Sequence, residues 1–143
     1  ISDLAAASTA GTSVELTWTA PGDNGMQGNA TGYWVKCSTT GSINTSNWAA
    51  ATNYTQSWKP LRGGSTETHN VTGLNFGKTY WFAIKAYDET PNYGNVSNSP
   101  SGKTSPQYAL LTTMIVFGVF AFIVIMIIVR IRLRKPKRRA RRS

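Results

Sequence analysis

Hydrophobic and polar residues alternate along several short stretches in the first hundred residues of the chain. In TSVELTWT, Val14, Leu16 and Trp18 alternate with polar neighbours, which is the period of a half-buried β-strand. Residues 32–39 and 79–87, GYWVKCST and TYWFAIKAY, follow the same rule. Turn-forming stretches such as PGDNG and RGGS separate these segments. Short alternating strands with this punctuation predict an all-β sandwich.

The alternation also predicts strand positions and a buried thiol. Cys37 shares the inner face of its strand with Tyr33 and Val35, so we expect it to be buried. A disulfide to another chain is the alternative, and it would require the sulfur to face outward. Strands are expected over residues 4–7, 13–19, 32–38, 47–56, 66–72, 79–87 and 96–104.

A long apolar run follows the predicted strands. Residues 109–129 contain no charged residue and no Asn, Gln or Pro. A helix of this length covers about 30 Å, the thickness of a bilayer's hydrocarbon core. The alternative is a buried helix of a soluble protein, but a small β domain has no core that surrounds a helix on all sides. The run therefore predicts one transmembrane helix.

The distribution of charge gives this predicted span an orientation. The net charge is +9, and nine of the fifteen basic residues follow the apolar run. The remaining six bases are matched by six acids, so the rest of the chain is formally neutral. Lys and Arg just beyond a span mark its cytoplasmic side. The predicted cytoplasmic residues are Arg130, Arg132, Arg134, Lys135, Lys137, Arg138, Arg139, Arg141 and Arg142.

This basic tail predicts an anionic partner. Anionic lipid headgroups and acidic surfaces of other membrane protein subunits both fit, since a basic residue near the lipid surface contributes about 1 kcal/mol. Nucleic acid is not the expected partner, because the tail has no aromatic side chain for base stacking and no folded reading element.

The expected organisation is an extracytoplasmic β domain over residues 1–104, a linker over 105–108, a transmembrane helix over 109–129 and a tail over 130–143. An N-terminal domain outside the membrane requires an export signal. Because residue 1 is Ile, we expect either a signal peptide removed before it or further sequence upstream.

Several motifs resemble the fibronectin type III domain, in the form found in exported bacterial proteins. Trp18 stands where the family has its strand-B tryptophan, and LTWTAPGDNGMQGNATGYWVKCST resembles the bacterial form of strands B and C. In VTGLNFGKTYWFAIKAYDETPNYGNVSN, Leu74 and Tyr80 have the spacing of the family's leucine and corner tyrosine, while Phe76 replaces a frequent proline. The resemblance covers about residues 3–104. It implies an immunoglobulin-like β-sandwich held outside a bacterial inner membrane.

The sequence offers little material for catalysis. It contains one His and one Cys, so it has no CxxC motif and no zinc site built from several such ligands. We expect His69 to be a partly buried strand residue, and we expect no enzyme and no cofactor. Asp23, Asp88, Glu89 and Asn92 lie on two loops that share one end of the resembled fold. They are expected to be solvated turn residues, with a weak calcium site as the alternative.

Outward-facing aromatic residues carry the clearest binding signal. Trp34 and Trp81 point away from the core on strands that neighbour each other in the resembled fold, so we expect the two indoles to lie close together. Tryptophan concentrates at binding hot spots. Two alternatives are that the segment carrying Trp48, Tyr54 and Trp58 covers this face, or that the face stacks on carbohydrate. The predicted partner-binding surface consists of Trp34, Lys36, Trp81, Lys85 and Tyr87.

These features predict a non-enzymatic, single-pass accessory or structural subunit that docks on a larger bacterial membrane complex, of respiratory, photosynthetic or secretion type. Its expected partners are other membrane protein subunits, with anionic lipid at the cytoplasmic face. The alternative is a membrane-proximal stalk and anchor of a cell-surface adhesin, receptor or glycan-active protein.

Overall fold

A computed structural model describes the chain except for residues 10, 24, 91 and 134–143. Within the C-terminal helix it describes the backbone, but not the side chains, of residues 109–117, 132 and 133. The chain divides into two units, Ile1–Pro106 and Gln107–Ser143, and each is treated by itself.

The first unit is a sandwich of two antiparallel sheets. One sheet has the order β1-β2-β5 and the other the order β4-β3-β6-β7. This confirms the predicted all-β sandwich. The strands found among the described residues are β1 (Ala5–Ser8), β2 (Val14–Thr19), β3 (Gly32–Ser38), β4 (Thr52–Tyr54), β5 (Thr66–Val71), β6 (Thr79–Tyr87) and β7 (Ser101–Lys103).

Two predicted strands are much shorter than expected. The segment predicted as a strand over 47–56 is a 3-10 helix, Trp48–Ala50, followed by the three residues of β4. At the start of this segment, Asn47 Oδ1 accepts from Asn44 N at 2.7 Å and Asn47 N donates to Asn44 Oδ1 at 3.3 Å, and such local side-chain bonds compete with strand pairing. The strand predicted over 96–104 is reduced to β7. Before it, Ile84 N of β6 donates to the side-chain hydroxyl of Ser97 at 2.9 Å instead of to a backbone carbonyl, and Pro100 has no N–H to donate.

The core follows the alternation of the sequence. Val14, Leu16 and Trp18 of β2 face Phe82 and Ile84 of β6, and all five are at most 2% exposed. Gly102 of β7 packs so tightly on β2 that a Cβ there would stand 2.6 Å from Cγ1 of Val14. The two sheets therefore meet at a contact that requires glycine.

Strand β1 is tied to the chain that leads into β7. Leu4 N donates to Asn98 Oδ1 at 2.9 Å, and Asn98 Nδ2 donates back to Leu4 O at 2.7 Å. Lys103 N donates to Ser8 Oγ at 3.0 Å. Hydrogen bonds at both ends of β1 thus tie it to the segment that runs from Asn98 to the end of β7.

The second unit contains one described helix, α1 (Tyr108–Leu133). Among the described residues, no helix has the length and apolar character needed to cross a membrane. For residues 109–117 of the predicted span, the structure describes the backbone but not the side chains. The transmembrane helix therefore stays a prediction.

Candidate functional site

The predicted outer face of the four-stranded sheet is divided into a covered part and an open part. In the register of β3 with β6, Trp34 is paired with Lys85 and Ser38 with Trp81. The two tryptophans are therefore four residues apart along the strands, roughly 13 Å. The expectation that the two indoles lie close together was wrong.

Lys36 lies between them and is buried, with only 7% of its surface exposed. Its ammonium group donates to the carbonyl oxygens of Trp48 at 2.8 Å and Ala51 at 3.1 Å, and lies 5.3 Å from the centre of the Trp48 ring. Lys85 Nζ lies 4.9 Å from the same ring. The predicted exposure of Lys36 is wrong because the 3-10 helix folds over this part of the sheet.

A small second core explains why this cover is stable. Ile43 and Trp48 pack on Ala83, an outward-facing residue of β6 that is completely buried, with Ala51 and Val96 beside them. Trp81, at the far end of the same face, is half-buried. The covered part therefore leaves little surface for a partner, which matches the alternative in which this segment folds over the face.

The open part carries an aromatic cluster formed by Trp34, Tyr87 and Tyr93. Trp34 remains 48% exposed and Tyr93 51% exposed. Their ring centres are 5.0 Å apart, and those of Tyr87 and Tyr93 are 6.4 Å apart. Tyr93 is not visible as a site residue in the alternation, because it lies in a loop and joins the cluster through an isolated bridge to Tyr87.

Gly32 allows the Tyr87 ring to lie against the backbone of β3. A Cβ at Gly32 would collide with the hydroxyl end of Tyr87. The backbone of Gly32 does not have a positive φ, so the close approach of the ring is what requires glycine here. Its position in GYWVKCST gave no sign of this role.

A cleft of about 380 Å³ opens beside the cluster, between the start of β3 and the segment that follows β4. Trp34 and Tyr87 line one side of it. The opposite side is an extended segment in which Asn53, Thr55 and Ser57 are exposed. The alternate residues of that segment turn inward and include Tyr54, Gln56 and Trp58.

Gln56 fixes the shape of this cleft. Its Nε2 donates to Tyr33 O at 2.6 Å and its Oε1 accepts from Trp58 N at 2.5 Å, so its amide continues the sheet edge where β4 has ended. Trp58 in turn stacks on His69 at 4.4 Å, with the two rings only 12° from parallel. Partly buried contacts of Gln56 and Trp58 thus hold the segment that lines the cleft.

Comparison with known proteins identifies the family to which this architecture belongs. The sequence model of the fibronectin type III domain matches residues 1–99. The chain belongs to this family. Fibronectin type III domains are generally non-catalytic binding or structural modules.

A solved structure similar to this fibronectin type III domain is described as "The crystal structure of a Fn3-like protein from Clostridium thermocellum". The two chains are 22% identical, the match covers 72% of this chain and 88% of the other, and the TM-score is 0.47. No curated protein matches the sequence significantly.

The tyrosine corner expected of a fibronectin type III domain is present. The hydroxyl oxygen of Tyr80 accepts a hydrogen bond from Asn75 N at 3.0 Å, which fixes the turn before β6. Leu74 is buried at 9% exposure, and Phe76 is 38% exposed on the same turn. The family motif therefore serves the fold and does not contribute to the cleft.

The polar residues that the sequence singled out have structural roles in the fibronectin type III domain. His69 is a partly buried residue of β5, as predicted, and its Nε2 lies 2.8 Å from Oε2 of buried Glu67. Hydrogen bonds from Asn92 lower the pKa of Asp88 and shape the loop after β6. Among the described residues, no three His, Cys, Asp or Glu side chains converge on a possible metal position.

The predicted contacts of the basic tail lie mostly beyond the residues that the structure describes. Arg130 is an exposed residue of α1, and for Arg132 only the backbone is described. The others lie outside the described residues: Arg134, Lys135, Lys137, Arg138, Arg139, Arg141 and Arg142.

Proposed function

We propose that this chain is a non-catalytic accessory subunit that is anchored in a bacterial membrane by one helix and docks on a larger membrane protein complex. The fibronectin type III domain stands outside the membrane and recognises the partner. The basic residues after the helix contact anionic lipid or acidic partner surfaces on the cytoplasmic side.

The observation that carries this proposal is the exposure of Trp34 on the open part of the sheet's outer face. An indole that packs on Tyr93 and is still 48% exposed places a large apolar ring in contact with water. Tryptophan and tyrosine are enriched at binding hot spots, so a cluster of exposed aromatic rings is a candidate contact surface for a partner. Of the five residues predicted for the partner surface, Trp34 and Tyr87 belong to the open aromatic cluster, and Lys36 contributes to the covered part instead.

The anchor is supported by the sequence alone. Residues 109–129 are uncharged over 21 positions, and nine basic residues follow them. A stretch of this length and composition matches the bilayer core, and basic residues beyond it resist translocation. Extraction of membranes with alkaline carbonate tests this part: the anchored chain stays in the membrane pellet, whereas a peripheral chain is released.

Co-purification from the native membrane in a mild detergent tests the docking. We expect the chain to elute in a large particle of fixed composition, and Trp34→Ala to reduce its share of that particle at least fivefold. Phe76→Ala is the matched control, because Phe76 is a partly exposed aromatic residue on the turn before β6, away from the cleft. A chain that always elutes alone would remove the accessory-subunit proposal.

Salt dependence tests the tail separately. Neutralising Arg138, Arg139, Arg141 and Arg142 is expected to loosen the particle most at low salt, where electrostatic contacts are least screened. Equal association at all salt concentrations would show that the tail makes no contribution to docking.

The second candidate function is the stalk and anchor of a surface adhesin, receptor or glycan-active protein. The cleft beside Trp34 favours it, because aromatic rings next to neutral polar side chains are suited to sugars. Under this alternative, the particle in the membrane contains only a longer form of this chain.

A further inference from the structure

The cleft beside the aromatic cluster has an unusual chemical composition. None of its twelve lining residues is Lys, Arg, His, Asp or Glu. Five of them are aromatic, and of these Trp34 and Tyr87 belong to the open aromatic cluster, whereas Tyr33 is buried in the core. Exposed neutral hydroxyl and amide groups come from Asn53, Thr55 and Ser57. A charged ligand would lose hydration here without meeting an opposite charge, so the composition selects an uncharged, hydroxyl-rich molecule.

The two sides of the cleft offer the two kinds of contact that a sugar ring needs. One face of a pyranose ring presents C–H groups, and these are attracted to the negative face of an aromatic ring. Trp34 provides such a face at 48% exposure, and Tyr93 supports the indole from the side at 5.0 Å. The stacking surface is thus present before any ligand arrives.

Neutral hydrogen-bonding groups stand across from this surface. Asn53 is paired with Lys36, so its side chain lies on the same sheet face as Trp34, one diagonal step away. Thr55 and Ser57 follow at alternate positions and are exposed on the same side. Asn53, Thr55 and Ser57 can donate to and accept from sugar hydroxyls.

The site is also rigid. Gln56 uses both ends of its amide on the backbone of Tyr33 and Trp58, and Tyr87 lies against Gly32. A preformed cleft does not lose conformational freedom when a ligand binds, which favours affinity for a small neutral molecule. Its volume of about 380 Å³ is in the range of small-ligand sites and fits one or two sugar rings.

We propose that this cleft binds a neutral saccharide, with Trp34 as the stacking surface and the Asn53–Thr55–Ser57 side as the hydroxyl-recognising wall. The inference rests on the proposed function in one respect, namely that the open aromatic face is the binding face. The saccharide belongs either to an envelope polysaccharide or to a glycan on a partner protein, and the ring chemistry is the same in both.

Titration with defined neutral oligosaccharides tests the inference. The full chain is kept in a detergent without a sugar headgroup and titrated with cellotetraose, maltotetraose and chitotetraose, followed by calorimetry and tryptophan fluorescence. We expect saturable binding of at least one of them. Absence of saturable binding with all three would overturn the proposal.

Variants locate the binding. Trp34→Ala should weaken the affinity at least tenfold and Asn53→Ala about threefold, because one removes the stacking surface and the other removes one hydrogen-bonding side chain. Phe76→Ala should change it less than twofold. Equal affinity of Trp34→Ala and the unaltered chain would place the sugar elsewhere and overturn the assignment.

Failure of this inference is distinguishable from failure of the proposed function. If no saccharide binds and Trp34→Ala still reduces co-purification, the cluster is a protein-docking surface and only the saccharide proposal falls. If saccharides bind and the chain elutes alone, only the accessory-subunit proposal falls. Where both hold, loss of the particle after glycosidase treatment identifies a partner's glycan, and binding to isolated envelope polysaccharide identifies the polymer.

Discussion

The hydroxyl of Tyr33 donates a hydrogen bond to Oε1 of Glu67 at 3.0 Å, inside the sandwich and across its two sheets. Glu67 is 1% exposed, and the same oxygen accepts a second bond from Leu61 N at 2.6 Å. The other oxygen lies 2.8 Å from Nε2 of His69. A buried carboxylate with three partners thus links β3, β5 and the segment that forms one wall of the cleft.

Tyr33→Phe should lower the free energy of unfolding by about 1–3 kcal/mol, since it leaves a buried carboxylate with one partner fewer. Urea unfolding followed by fluorescence measures this change. Tyr54→Phe is the matched control: it removes a hydroxyl that accepts only a solvent-exposed bond from Thr72 N, so a smaller loss is expected. An equal loss in both variants would contradict the special role of the cross-sheet bond.

The hydroxyl of Tyr33 also makes the stability of the domain depend on pH. Burial is the main cause that raises the pKa of Tyr33, with the charge of Glu67 adding to it. The folded state therefore keeps the proton that the unfolded chain releases near pH 10, and this contribution to stability is complete below that pH and declines above it. In Tyr33→Phe, the loss of stability between pH 9 and 11 should be smaller than in the unaltered chain.

Lys36→Met should loosen the covered part of the outer face. The substitution keeps most of the apolar stem but removes the ammonium group that holds the carbonyl oxygens of Trp48 and Ala51. We expect faster amide exchange over residues 42–51 and a stability loss of about 1–3 kcal/mol. Lys59→Met, on an exposed residue, is the control and should leave exchange in this segment unchanged.

Gly102→Ala should destabilise the sandwich by about 1–3 kcal/mol, because the added methyl group would stand 2.6 Å from Val14 Cγ1 in a filled core. Gly41→Ala provides the comparison: a Cβ there meets nothing within 4 Å, so its effect should stay within about 0.5 kcal/mol. Thermal unfolding of the two variants in parallel gives the difference. Equal midpoints would show that β7 moves to accept the methyl group at little cost.

Cys37 should react slowly with iodoacetamide in the folded chain. It is 8% exposed, and burial raises the pKa of its thiol, so both access and thiolate content are low. Mass spectrometry should find little alkylation before urea is added and complete alkylation afterwards. Rapid modification of the native chain would support the outward-facing thiol that a disulfide to another chain requires.

The alternation of the sequence predicted the core well and the outer face poorly. Val14, Leu16 and Trp18 are buried as expected, because strand period alone decides which face meets the other sheet. The same rule predicts that Lys36 faces solvent, but Lys36 is buried, as is Ala83, its cross-strand partner on the same face. The alternation within a strand carries no information about a loop that folds back over the outside of the sheet.

The cleft was only partly accessible to prediction. Trp34 was identified as exposed, and carbohydrate was considered as its ligand. Glu67 and Gly32 were missed, since a buried acid on a strand and a glycine that receives a ring both depend on contacts between residues distant in sequence. The separation of Trp34 from Trp81 depends on the register between β3 and β6, which the alternation within each strand does not determine.

The hydrogen bonds that tie Leu4 to Asn98 and Ser8 to Lys103 also determine how the sandwich responds to mechanical tension. Leu4, just before β1, and Ser8, at its end, follow each other in the same order as Asn98 and Lys103 along the chain into β7, so the two segments run parallel. A pull on residue 4 against residue 103 shears these bonds together instead of opening them one after another. We therefore expect the domain to yield abruptly at a high force in single-molecule stretching, and Asn98→Ala to lower that force.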